Sequence, residues 1–107
     1  MLFRSAIGAS AAAISRNLPG YVIAADLIGL AEYDPLLDEA FRTWIGDLRY
    51  VEWDDDSLIS SDESRLNNRG RMAGASRAVV AAYLGDEAEL ARSAQVFKGY
   101  QIGRAHV

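Results

Sequence analysis

The sequence predicts an all-α chain, and three observations predict it. Its 107 residues are rich in Ala, Leu, Arg and Glu, good helix formers, with Ala far ahead of the β-branched residues. Apolar residues recur at three- and four-residue spacing, and no run alternates with the period of two that a strand needs. Two stop-and-start signals, Asp34-Pro35 and Gly85-Asp86, divide the chain where helices would be capped.

Taken in order, residues 6–16 are Ala-rich and read as the end of a helix. Asn17-Leu18-Pro19 reads as a boundary, because Asn suits an N-cap and Pro a first turn. Gly20 to Tyr33 is apolar almost all round, which places a helix inside a larger body. It is too short to cross a bilayer and carries Asp26. Asp34-Pro35 then starts a helix to about Tyr50. Leu37, Ala40, Phe41, Trp44, Ile45 and Leu48 share one face of it, and Asp38, Glu39, Arg42 and Asp47 the other. Asp54 to Asn68 is polar, lacks an apolar period and is longer than an ordinary connection, so it reads as a loop. Gly70 to Leu84 is a helix with a small-residue face: Ala73, Gly74, Ala75, Ala78 and Ala82. The last helix, Glu87 to about Lys98, is expected to bury Leu90, Ala94 and Phe97. Short turns between such helices predict antiparallel helical hairpins in a layered array. So few helices cannot cover Val22, Ile23, Ile28, Phe41, Trp44 and Tyr83 together, so the chain is expected to be part of a larger domain.

The formal charge of −4 argues against a nucleic-acid surface, which needs a basic stripe. Without Cys there is no disulfide framework and no thiolate metal site. The absence leaves the compartment open. Both ends look foreign to the fold. Gln101 to Val107 is what a common short-read sequencing adapter encodes in one frame, and Met1 to Ser5 fits its reverse complement read from a GTG start. Residues 6–100 are therefore expected to be the natural part, a fragment, with 1–5 and 101–107 as non-native additions. Removing Arg4 and Arg104 from the 11 basic residues leaves nine against 15 acids. His106, the only histidine, falls in the tail, and the signal-like look of Met1 to Ser15 falls partly in the head.

Several segments carry a resemblance when taken together: Arg16-Asn17-Leu18-Pro19-Gly20-Tyr21, Ala24-Ala25-Asp26-Leu27-Ile28 and Phe41-Arg42-Thr43-Trp44-Ile45. Asn67-Asn68-Arg69-Gly70, Gly74-Ala75-Ser76-Arg77, Tyr83-Leu84-Gly85-Asp86 and Val96-Phe97-Lys98-Gly99-Tyr100 follow in the same order. In order and spacing the chain resembles the alginate lyase family over nearly all of residues 14–100. The resemblance implies part of an (α/α) toroid whose groove takes an acidic polysaccharide such as alginate. It also implies a periplasmic or secreted parent; beside it, no cofactor and no metal are expected, and neither nucleic acid nor membrane as partner. The implied reaction is β-elimination at a uronate: a base removes the C5 proton and the 4-O-glycosidic bond breaks without water. The α-proton of a carboxylate is very weakly acidic, so amide and guanidinium donors must neutralise the developing charge. A Tyr or His handles the proton.

By that resemblance Asn68 matches the carboxylate-binding Asn and Asn67 its neighbour. Arg69 stands where active members carry His. A guanidinium accepts no proton at neutral pH, so Arg69 assists only electrostatically and the fragment is expected to be inactive. Arg71 and Trp53 complete the candidate substrate contacts, Trp53 as a platform for a sugar ring.

Each of these residues has a plainer reading. Asn67-Asn68 is also an ordinary loop-to-helix cap. Arg69, Arg71 and Arg77 are either a cationic patch or partners for the abundant acids, with the second favoured. Trp44, in the apolar stripe, reads as core, and Tyr83 as core or groove. Asp54-Asp55-Asp56 with Asp62-Glu63 lacks the Gly turn and terminal Glu of a calcium loop and reads as a solvated acidic loop. Two further functions stand beside the lyase: a non-catalytic toroid binding polysaccharide or protein, and a purely structural helical domain. The coding DNA tests the expectation for the two ends, which is dropped if the codons do not spell the adapter.

Overall fold

The computed structural model describes residues 11–52, 57–64 and 68–105, and these are all-helical. Among these residues six helices follow one another: α1 (Ala11–Leu27), α2 (Leu30–Tyr33), α3 (Pro35–Leu48), α4 (Leu58–Ser64), α5 (Asn68–Leu84) and α6 (Glu87–Ala105). α5 is the central element, packing against α1, α4, α6 and α3. The molecule measures 47 × 28 × 19 Å, and the thin dimension holds about two helix layers at the usual 8–10 Å interaxial distance. The core is one cluster in which Ile14, Leu18 and Val22 of α1 meet Phe41 and Ile45 of α3, Leu58 of α4, and Ala73 and Val80 of α5.

The cap signals act as the sequence predicts. The Asp34 carboxylate accepts the Leu37 N–H at 3.1 Å, with Pro35 in the first turn of α3. Gly85 closes α5 at φ +72°, where the Gly85 and Asp86 amides bond back to the Ala82 and Ala81 carbonyls. Asp86 then opens α6 by accepting the Glu89 N–H at 3.2 Å.

Four expectations are overturned. First, no boundary falls at Asn17-Leu18-Pro19, because Pro19 lies inside α1. Proline has no N–H for the carbonyl four residues back, which here belongs to Ser15. The Ser76 hydroxyl of α5 donates to that oxygen instead, at 2.6 Å and fully buried, so the helix runs through. Second, Gly20 to Tyr33 is not one helix buried on all sides. Gly29 breaks it at φ +64°, and only one face is covered: Val22 and Ala25 are buried while Ile23 is 51% exposed, with Leu27 and Ile28 more so.

Third, the polar stretch Asp54 to Asn68 contains α4. Ser57 and Ser60 cap it reciprocally: the Ser57 hydroxyl accepts the Ser60 N–H at 3.1 Å, and the Ser60 hydroxyl accepts the Ser57 N–H at 2.8 Å. Leu58 and Ser61 are buried beneath it, and so is Asp62, so the acids at 62–63 are not a solvated loop. Fourth, burial on α3 and α6 differs from the stripe pattern. Asp38, read as solvent-facing, is 5% exposed because Tyr83 and Arg42 satisfy its carboxylate. Leu37 is exposed instead, as are Leu90 and Phe97 on α6, where a groove stays open between α5 and α6. α3 ends at Leu48, and α6 continues past Lys98 to Ala105.

The Pro19–Ser76 arrangement predicts a measurable coupling. Ser76→Ala leaves a buried carbonyl without its donor and should cost about 1–3 kcal/mol in urea unfolding. Pro19→Ala restores a local N–H for the Ser15 carbonyl, so Ser76→Ala in that background should cost clearly less. Simple additivity in the double-mutant cycle would contradict the account.

Candidate functional site

The start of α5 is where the sequence places the chemistry, and a groove opens beside it. Asn68 and Arg69 are the first residues of α5, with side chains outside the described residues; Trp53 and Asn67 also lie outside them. Arg71, one turn on, is exposed at the rim of a groove of about 540 Å³ between α5 and α6. Gly70, Gly74, Ala75 and Ala78 form one wall, and Leu90, Ala94 and Phe97 the other. Small side chains on α5 keep this groove open. Its polar lining is Arg71, Asp62 and Ser93, and among the described residues the buried Ser93 hydroxyl has no hydrogen-bond partner.

Gly74 is a steric requirement of this wall. A Cβ built on it would lie 2.6 Å from Asp62 Oδ1, closer than real Cβ contacts come. Asp62 cannot swing away freely, since its other oxygen accepts from Arg77 Nη1 at 3.0 Å.

Arg77 is the hub below the groove, its side chain 3% exposed. Nε and Nη2 form a fork on Glu89 at 3.0 and 2.9 Å, while Nη1 also reaches Glu63 at 2.7 Å. Glu63 is shared with Arg92 of α6, and Glu89 lies 3.9 Å from Arg49, which bonds Asp86 at 3.3 Å. Arg77 is therefore a partner for acids, as the sequence favoured, and not part of a patch open to substrate. Hydrogen bonds from Arg92 and Arg77 hold the Glu63 carboxyl down at about 2 despite partial burial. The Arg77 fork likewise lowers Glu89. Burial raises Asp62, helped by the neighbouring Glu63 and Glu89 charges and only partly opposed by Arg77.

Tyr83 sits at the far end of α5, fifteen residues from Asn68, or about 22 Å along the axis. Half-buried, it meets Phe41 edge-on at 5.5 Å, lies under the Arg42 guanidinium and donates to Asp38. Burial and the Asp38 carboxylate push its hydroxyl up to about 12. Burial works to raise Asp38 itself, but the Tyr83 and Arg42 hydrogen bonds outweigh it and leave the carboxyl lowered. Tyr83 is thus bound into the core margin and far from the start of α5. Trp44 packs against the core, as its place in the stripe predicts.

The network of Arg49, Glu89, Glu63 and Arg92 was not singled out from the sequence. The available signal was an excess of acids around few arginines, which says that pairs form without saying which. Among the described residues, no group of three or more His, Cys, Asp or Glu side chains could hold a metal ion, and no helix is long and apolar enough to cross a membrane. Comparison with protein-family models, curated proteins and solved structures returns no match to this chain.

Two outcomes follow. Gly→Ala inside a helix normally gains up to about 1 kcal/mol. Gly74→Ala should instead lower the melting temperature, and should raise it once Asp62→Ala removes the obstructing carboxylate. For pH, a depressed carboxyl stabilises the fold above its unfolded value and loses that stabilisation as pH falls through the folded value. For Glu63 that window runs from 4.5 down to about 2. Asp62, being raised, has the opposite sign: its ionised form opposes folding, and protonation relieves this as pH falls. Melting temperature against pH should therefore show a steep loss below 4.5 that Glu63→Gln flattens. An equally steep loss in the variant would contradict the assignment.

Proposed function

We propose that this chain is part of a helical domain that binds an acidic, uronate-containing polysaccharide such as alginate, in the manner of a polysaccharide lyase. The start of α5 forms the contact. The observation that carries this reading is the ordered series of segments from Arg16 to Tyr100 resembling the alginate lyase family. The all-α fold and the position of Arg71 support it: this exposed residue stands within one turn of Asn68 and lines an open groove. Amide protons at a helix start and an adjacent guanidinium suit a carboxylate. Asn67, Asn68 and Arg71 would bind the uronate, Trp53 would stack on a sugar ring, and Arg69 would add positive potential. The parent protein is read as periplasmic or secreted.

One observation favours a non-catalytic version of the same binding. Arg69 occupies the slot for the base, and the phenol of Tyr83 lies a helix-length away, bonded to Asp38. Of the residues that line the groove beside the start of α5, Asp62 is the one carboxylate that could take a proton, and Arg77 holds it. Binding without turnover is the behaviour we infer for this chain alone.

Calorimetric titration with alginate oligosaccharides, alongside an ultraviolet assay for the unsaturated uronate, tests both parts. We expect weak, salt-sensitive binding and no product. Asn68→Ala and Arg71→Ala should each weaken binding by about tenfold, as loss of a charge-assisted contact does. Absence of binding at low salt would sink the polysaccharide reading. Product formed by the intact chain would overturn the non-catalytic version.

A further inference from the structure

The open apolar surface is concentrated away from the α5–α6 groove. Among the described residues, eight of ten exposed large hydrophobic side chains lie between Tyr21 and Tyr50. Along α3, Leu36, Ala40, Thr43 and Asp47 succeed one another at helical spacing and form a ridge. Beside the ridge runs a groove of about 630 Å³ whose apolar lining includes Leu36, Ala40, Trp44 and Val51. Glu39 and Asp47 are the charged groups of that lining, and both are exposed. Among the described residues neither meets a cation. The two arginines of the same span, Arg42 and Arg49, are engaged by Asp38 and Asp86. The face therefore combines a greasy trough with two uncompensated negative charges.

That combination selects the occupant. A second copy packed on this face through a two-fold axis would bring Glu39 and Asp47 against their own images, and like charges across an interface weaken it. A purely apolar segment would leave both carboxylates partly desolvated without partners. The small side chains Ala40 and Thr43 at mid-ridge let a helix backbone come close. Glu39 and Asp47 are eight residues apart, about 12 Å along the axis.

We propose that the outward face of α3 docks an amphipathic helix of another polypeptide, apolar along its contact stripe and carrying two cationic side chains about two turns apart. One cation meets Glu39 and the other Asp47, while leucine-sized side chains fill the trough between Leu36 and Val51. This surface shares no residue with the α5–α6 groove, so its occupancy is tested separately from polysaccharide binding.

A charge-swap titration tests it. The probe is a fluorescein-labelled helical peptide about 16 residues long, with a leucine stripe flanked by two Lys two turns apart. Anisotropy with the full chain should show saturable binding, accompanied by a blue shift of Trp44 emission in a Trp53→Phe background. The double substitution Glu39→Lys with Asp47→Lys should weaken binding at least about tenfold, and a peptide with Glu in place of its Lys should bind that variant and not the original. Glu87→Lys, an exposed change on α6, should alter nothing. Binding indifferent to the swap, or lost equally with Glu87→Lys, would overturn the proposal. So would a dimer in sedimentation that Leu36→Asp disperses, which gives the face to a second copy. Both acids are exposed, so the variants should keep their far-ultraviolet dichroism. Should either lose it, Glu39→Gln with Asp47→Asn takes its place and must weaken the Lys peptide; unchanged binding would overturn the proposal.

Discussion

The Arg77 guanidinium lies inside the helical slab with all three of its nitrogens engaged, and the arrangement of four helices depends on it. It rises from α5, takes Asp62 and Glu63 from α4 and Glu89 from α6, and through Glu89 comes near Arg49 at the end of α3. A guanidinium this deeply buried is strongly unfavourable unless its charge and its donors are matched, so the carboxylates must be delivered together. That requirement fixes where α4 sits. α4 is short and polar, with few apolar side chains to anchor it, and its placement rests on Leu58 below and Arg77 beside it. The cluster holds four acids against three arginines, and Asp62, the carboxyl that burial raises most directly, is left above its ordinary value, with the Glu63 and Glu89 charges adding to the effect.

The second constraint is the contact between α1 and α5. Pro19 frees the Ser15 carbonyl within a helix, and Ser76 comes from sixty-one residues away to satisfy it. A break in one helix's own ladder is converted into a bond between two helices. Ser76 and Arg77 are sequence neighbours, so one turn of α5 settles its position against α1 on one side and against α4 and α6 on the other. The floor of the α5–α6 groove inherits this rigidity, since Gly74 is held against an Asp62 that Arg77 keeps in place.

Much of this architecture was legible locally and little of it globally. Asp34-Pro35 and Gly85-Asp86 marked true helix ends, because their signals act within one turn. Pro19 misled for the opposite reason: whether a proline ends a helix depends on whether a distant donor replaces the lost bond, and Ser76 is such a donor. The cap at Ser57 to Ser60 was present in the sequence but obscured by the polarity around it. Asp38 and Arg77 show that side-chain character alone does not assign a face, since a charged group with matched partners is buried as readily as an apolar one. At the candidate site, the placement of Asn68, Arg69 and Arg71 at a helix start was legible. The depth of Arg77 and the distance of Tyr83 required the packed structure.

The exposed apolar residues can be understood from the thickness of the slab. With about two helix layers, each helix has one face against a neighbour and one without, so a helix apolar all round must leave part of itself in water. α1 does so through Ile23 and Leu27, and α3 through Leu36. The two open regions differ in kind. Between α5 and α6 the groove sets a wall of small residues on α5 against Leu90 and Phe97 of α6, with Asp62 and Arg71 in its lining. Along α3 the trough sets Leu36, Trp44 and Val51 around the small Ala40 and Thr43, and its charged lining is Glu39 and Asp47. An apolar surface is costly to leave in water, and the charges beside it bear on what can cover it: on α3 those of the lining are negative, which disfavours an acidic polysaccharide there and suits the cationic, apolar helix proposed above.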